Sequence, residues 1–167
     1  FLAILIGSIM GGPITFFILV AFLIIGSTLE FLSMPDEYRP LKGLNIVLVT
    51  SAFALIGLAI LDLIDAKWLS AIALLLPILF LVELYRKHNK ALEHIALSVF
   101  SWLYLGVPFV LLFAAGFVSG TYDYSFILGF FILTWLYDTF AYIIGIAIGQ
   151  RRLFERISPK KSWEGFI

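Results

Sequence analysis

Cysteine is absent from this chain and methionine occurs only twice, so neither a disulfide nor a thiolate metal centre can form. Charge is nearly as scarce. Of 167 residues only 13% are charged, against 62% hydrophobic, with 11 cations balancing 11 acids. A soluble domain of this length cannot cover itself with so little charge, which places the chain among polytopic membrane proteins. No stretch shows the strict alternation of a membrane β-strand, no polar stretch is long enough for a soluble domain, and no internal repeat stands out. The expected fold is therefore all-α, a polytopic transmembrane helix bundle. Nucleic acid is not expected as a partner.

What is present is a series of apolar runs. Residues 1–10 read as the tail of a helix broken by Gly11-Gly12-Pro13, and Pro13 suits the first position of the next helix, expected over 13–33. Further spans are expected over 44–61, 68–85, 95–117 and 124–149, with kinks at Pro77 and Pro108. A basic loop follows over 150–164, and another span begins at 165–167. Glu30 and Glu83 fall near helix ends, where a carboxylate can reach the interface. His88 and His94 lie in or beside a basic loop without a metal-ligand partner at helical spacing, which favours solvated or headgroup-facing side chains. Taken alternately, the loops 34–43, 86–93 and 150–164 carry ten of the eleven cations. The positive-inside rule then makes that side cytosolic.

The exception to the apolar pattern is Asp138. It has 14 uncharged residues before it and 12 after, over 124–150, a helix of about 40 Å at 1.5 Å per residue. An acid near mid-span costs roughly 2.5–3.5 kcal/mol on insertion scales, so it should face protein, water or a ligand. Ala141, Gly145 and Gly149 share its helical face, and small residues at that spacing let another helix approach closely. Beyond Gly149 the character reverses. Gln150-Arg-Arg-Leu-Phe-Glu-Arg-Ile-Ser-Pro-Lys-Lys161 holds five cations against one acid. Ser158-Pro159 forms a helix-start pair, and Ser162 offers a second start with Glu164 in its first turn. In either case backbone N–H groups and the Lys160-Lys161 pair converge on one spot, as a phosphate site requires. The plainer reading is a basic anchor touching lipid headgroups.

The string Asp138-Thr-Phe-Ala-Tyr142, then Gly145 and Gly149, then Ile157-Ser-Pro-Lys-Lys-Ser-Trp-Glu-Gly-Phe-Ile167 resembles the phosphatidate cytidylyltransferase (CDP-diacylglycerol synthase) family. Ser162 stands where that family more often has Thr, which keeps the hydroxyl. The family's C-terminal signature, an acid-rich metal-binding helix and a His-Gly-Gly segment, has no counterpart in residues 1–167. The chain is thus expected to be a piece truncated at both ends. Alone it is expected to enter a membrane without catalysing the reaction.

The resemblance implies a multi-pass enzyme with a cytosolic active face, condensing CTP with phosphatidic acid to CDP-diacylglycerol and pyrophosphate. Asp138 would be the catalytic acid and one metal ligand, with further ligands beyond Ile167. Ser158, Lys160, Lys161 and Arg156 would bind phosphate. The cofactor implied is Mg²⁺, or another divalent or monovalent cation in its place. The partners are CTP, phosphatidic acid and membrane lipids, and a homodimer is compatible with this reading. Two other readings stay open: a related CTP-using lipid enzyme (a CDP-archaeol synthase or a polyprenol kinase), and a transporter with Asp138 as an ion or proton relay.

Overall fold

The structure, a computed structural model, describes residues 2–33, 41–86, 89–154, 156 and 158–166, with the backbone alone for Phe154, Pro159 and Lys160. Expectations for residues 34–40, His88 and Ile167, and for the Lys160 side chain, lie outside the described residues. The chain divides into two compact units, residues 1–124 and 125–167.

Among the described residues the regular elements of the first unit are all helical: α1 (Leu2–Met10), α2 (Pro13–Phe31), α3 (Lys42–Ile60), a 3-10 segment Ala66–Leu74 continuing into α4 (Leu75–Tyr85), α5 (Ala91–Ser101), a π-helical turn Trp102–Gly106 and α6 (Val107–Ala115). The second contains α7 (Tyr124–Ala147), the strands β1 (Arg152–Phe154) and β2 (Ser158–Ser162), and a short helix α8 (Trp163–Phe166). Among the described residues five helical stretches are long and apolar enough to cross a membrane: Pro13–Phe31, Lys42–Ile60, Ala66–Tyr85, Ala91–Ala115 and Tyr124–Ala147. The chain is an integral, multi-pass membrane protein of all-α class, and among the described residues its strands form one small hairpin.

Both internal prolines act through their missing N–H. Pro77 sits just where the 3-10 segment passes into α4, and its missing N–H leaves a carbonyl of the preceding turns without that helical donor. Pro108 occupies the first turn of α6, and the turn before it widens instead, the Val107 N–H reaching back to the Trp102 carbonyl. Neither span is broken.

Between helices in a bilayer there is little hydrophobic drive, so packing and hydrogen bonds hold the first unit together. Phe113 on α6 is the hub. Its ring lies 5.9 Å from Phe16, 5.5 Å from Phe17, 5.8 Å from Phe53 and 5.3 Å from Phe117, joining α2, α3 and α6. Gly57 makes room for this cluster, since a Cβ there would run into the Phe17 ring. Nearby, Asn45 is fully buried yet satisfied: its amide donates to the Leu41 carbonyl at 3.1 Å and accepts from Trp102 Nε1 at 3.1 Å. In the turn after α6, Tyr122 donates to the Ile9 carbonyl at 2.7 Å, and burial pushes its phenol up to about 12.

Helix α5 begins at Ala91, earlier than the expected residue 95, and this overturns the reading of His94 as solvated. Placed inside the helix, His94 is 1% exposed, its Nδ1 3.4 Å from Glu83 Oε1. Arg86 Nη1 donates to the same carboxylate oxygen at 2.9 Å. Glu83, also 1% exposed, therefore ties α4 to α5 across the basic loop, whereas Glu30 is exposed at the end of α2 as its position suggested.

Because Phe113 serves three helices at once, Phe113→Ala should destabilise the first unit by about 3–5 kcal/mol, the usual cost of deleting a buried aromatic ring. Thermal unfolding in detergent would register this as a large fall in midpoint. The substitution Leu111→Ala, at a side chain 62% exposed on the same helix, should leave it nearly unchanged.

Candidate functional site

The site is built on α7 and the segment that returns along it. Asp138 is exposed on α7, nine residues before Ala147 and so about 14 Å in from the helix end. After α7 the chain forms an antiparallel hairpin in which Arg152 opposes Ser162 and Phe154 opposes Ser158. A step of two residues on β1 thus matches four on β2, so β2 bulges over 159–161. A bulge is where a strand tolerates proline, because no ladder bond is asked of Pro159. The bulge carries the Lys160-Lys161 pair, and Lys161, Arg151, Arg152 and Arg156 are exposed around it.

At the end of β2 the chain turns back onto α7. Ser162 Oγ accepts the Gly165 N–H at 3.3 Å, the bond an N-cap residue makes to the third residue of its helix. Trp163 N–H donates to the Arg151 carbonyl at 2.9 Å. The Glu164 carboxylate accepts from the backbone N–H of Gln150 at 3.2 Å and of Arg151 at 3.3 Å. Hydrogen bonding to its own backbone N–H, and then to those of Arg151 and Gln150, holds the Glu164 carboxyl below its ordinary value of 4.5.

Contact with α7 is close enough that only glycine fits. A Cβ added at Gly165 would sit 2.5 Å from the Ala141 carbonyl oxygen and 3.1 Å from the Gly145 backbone. One at Gly149 would meet Ser162 Oγ at 2.5 Å, and one at Gly145 would meet it at 3.3 Å. Further along, Tyr137 Oη donates to the Phe166 carbonyl at 3.0 Å. The segment Ser162 to Phe166 therefore runs antiparallel to α7, with Ser162 against Gly145 and Gly149, Gly165 against Ala141 and Gly145, and the Phe166 carbonyl held by the Tyr137 side chain.

One expectation changes here. The small-residue face receives this return segment with its short helix α8. Ser158-Pro159 does not start a helix; it opens β2, because pairing with β1 demands extended backbone and the helix start passes to Ser162. At the start of α8 the N–H groups of Trp163 and Gly165 are already engaged, by the Arg151 carbonyl and by Ser162 Oγ. The structure anchors the basic bulge of β2 to the helix that carries Asp138 but at a different level, Gly149 lying eleven residues past Asp138, about 16 Å at the helical rise. Sequence reasoning missed the Tyr137 contact and the clasp made by Glu164, although the spacing of Ser162 from Glu164 and Gly165 was the signal for the turn.

Residues 1–167 as a whole match the profile of the Cytidylyltransferase family. The chain is 33% identical to the phosphatidate cytidylyltransferase of Staphylococcus haemolyticus over 138 residues, covering 78% of this chain and 52% of the relative. It is 30% identical to that of Staphylococcus saprophyticus over 139 residues, covering 83% and 49%. For that of Staphylococcus aureus (strain COL) the identity is 29% over 138 residues, covering 78% and 52%. The chain spans about half the length of the curated relatives it matches. No solved structure matches it.

Adding a methyl group at Gly165 must displace backbone, so Gly165→Ala should lift the hairpin from α7. Trypsin should then cut at Arg151, Arg152 and Lys161 several-fold faster, while insertion of α7 is unchanged. Acid should loosen the same segment. Because the Glu164 carboxyl is held below its ordinary value, its contribution is complete above pH 4.5 and is lost as pH falls through the lowered value. Amide exchange at Gln150 and Arg151, corrected for the intrinsic pH dependence, should rise only in that acid range.

Proposed function

The chain belongs to the cytidylyltransferase family, and from that premise we propose that it acts as a membrane nucleotidyltransferase making CDP-diacylglycerol. A phosphate oxygen of phosphatidic acid attacks the α-phosphorus of CTP, the bond to the β-phosphate breaks, and pyrophosphate leaves. The nucleophile is already anionic, so the protein needs no general base. What two approaching polyanions require is neutralised charge and in-line placement. The single observation that carries this reading is the basic bulge anchored to the same helix that holds Asp138. The names of the relatives favour it over a CDP-archaeol synthase, a polyprenol kinase or a transporter.

In this reading Lys160 and Lys161 take nucleotide phosphate at the membrane surface, and Ser158 and Arg156 support them. The ten-of-eleven bias of cations supports a cytosolic position for this surface, where it would meet CTP, while phosphatidic acid would arrive through the bilayer. Asp138, deeper on α7, is the acid nearest the lipid. Its exposed carboxylate suits Mg²⁺, which binds through one or two carboxylates together with waters and substrate phosphates. When bound, such a cation would neutralise phosphate charge as the new bond forms. Among the described residues no group of three His, Cys, Asp or Glu side chains converges, so Asp138 is the one ligand assigned here.

Two substitutions separate the roles, both assayed in membranes expressing the protein. Asp138→Asn should abolish CDP-diacylglycerol formation, by about 100-fold or more, without loss of inserted protein. Retention of activity within a few-fold of wild type would remove Asp138 from the chemistry. Lys160→Gln with Lys161→Gln should raise the KM for CTP while mapped topology stays the same. An unchanged KM for both substrates would instead make the pair a topology anchor.

A further inference from the structure

The geometry points to Glu164 as a positioning residue, one that holds the basic hairpin against the end of α7 so that Lys160 and Lys161 meet the nucleotide phosphates in a fixed place. This rests on the nucleotidyltransferase reading above. The carboxylate is not turned toward a substrate. Both of its oxygens are engaged by backbone N–H groups, Oε2 by those of Gln150 and Arg151 and Oε1 by that of Arg151. These two donors follow the last turn of α7. Residues 150 and 164 are thereby joined at the base of the hairpin, and the bulge of β2 lies within that closure.

Magnitudes decide what kind of role this is. The three contacts measure 3.2–3.3 Å, longer than the roughly 2.7–2.9 Å of strong charge-assisted bonds. Each is therefore weak. The turn has other supports: the Ser162 cap, the Trp163 bond to Arg151, and the glycine contacts with α7. Removing Glu164 should leave the turn folded and the spans inserted but let the hairpin move at its base. Movement of that kind weakens nucleotide capture more than the chemical step, because the lysines remain present but less well placed.

The test compares Glu164→Ala and Glu164→Gln with wild type. Gln keeps one acceptor oxygen and should be intermediate. Amide exchange at Gln150 and Arg151 should be fastest in Ala, slower in Gln and slowest in wild type. In membranes supplied with phosphatidic acid, the KM for CTP should rise about tenfold in Ala and less in Gln, with kcat within about twofold and the KM for phosphatidic acid unchanged. Unchanged exchange in Glu164→Ala would overturn the clasp. Faster exchange with an unchanged KM for CTP would overturn its bearing on the nucleotide, and a fall in kcat alone would assign Glu164 to the chemistry instead. The exchange measurement needs no turnover. A wild-type protein that forms no CDP-diacylglycerol would therefore sink the reaction reading, while exchange still decides whether Glu164 holds the hairpin.

Discussion

The contact of Ser162 and Gly165 with the small-residue face of α7 determines where the remaining charges of the second unit can go. Ala141, Gly145 and Gly149 leave a groove along the helix, and the return segment lies in it with backbone against backbone. Any side chain at Gly149 or Gly165 would hold the two apart. With the segment seated, the bulge of β2 is pinned at the end of α7, and the chain beyond it is aimed back toward the level of Asp138. Glycine here is a matter of distance and not of flexibility, since no unusual φ is involved at either position.

The first unit solves a different problem. Its helices must recognise one another among lipid tails as apolar as themselves, so shape and hydrogen bonding decide. A stacked cluster of phenylalanines around Phe113 supplies the shape, and the Asn45–Trp102 bond and the Glu83 cluster supply polar specificity. Glu83 is the costlier device, because a buried carboxylate is tolerated only with a cationic partner. Arg86, half-exposed at the loop, provides one while keeping part of its guanidinium in reach of water.

Charge scarcity gives the remaining charges their meaning. In a chain that is 13% charged, most cations lie in three loops and one acid lies deep in a span. In the proposed reaction the substrates bring their own nucleophile and leaving group, so the part left to the chain is placement and opposite charge. A capping serine, a tight glycine contact and a backbone-bound glutamate all hold the segment that carries the lysine pair.

Apolar run length alone determined the class of the protein and the existence of its spans, because a helix in lipid must satisfy its own backbone and so announces itself over about 20 residues. Composition likewise exposed Asp138 and the basic cluster, each conspicuous against an uncharged background. The candidate residues were legible by type and position, and not in how the chain holds them. The ends of helices were less legible: four residues at the start of α5 separate a solvated His94 from a buried one. Only the tertiary structure decided that Ser158 opens a strand, that the small face of α7 takes the chain's own return segment, and that Glu164 turns onto Gln150 and Arg151. These outcomes depend on competition between alternatives of similar local energy, two serines that could each cap a helix and a proline suited to a helix start or a bulge. Local sequence leaves such choices balanced, and a contact between residues far apart in the chain, here Gly165 against Ala141, tips them.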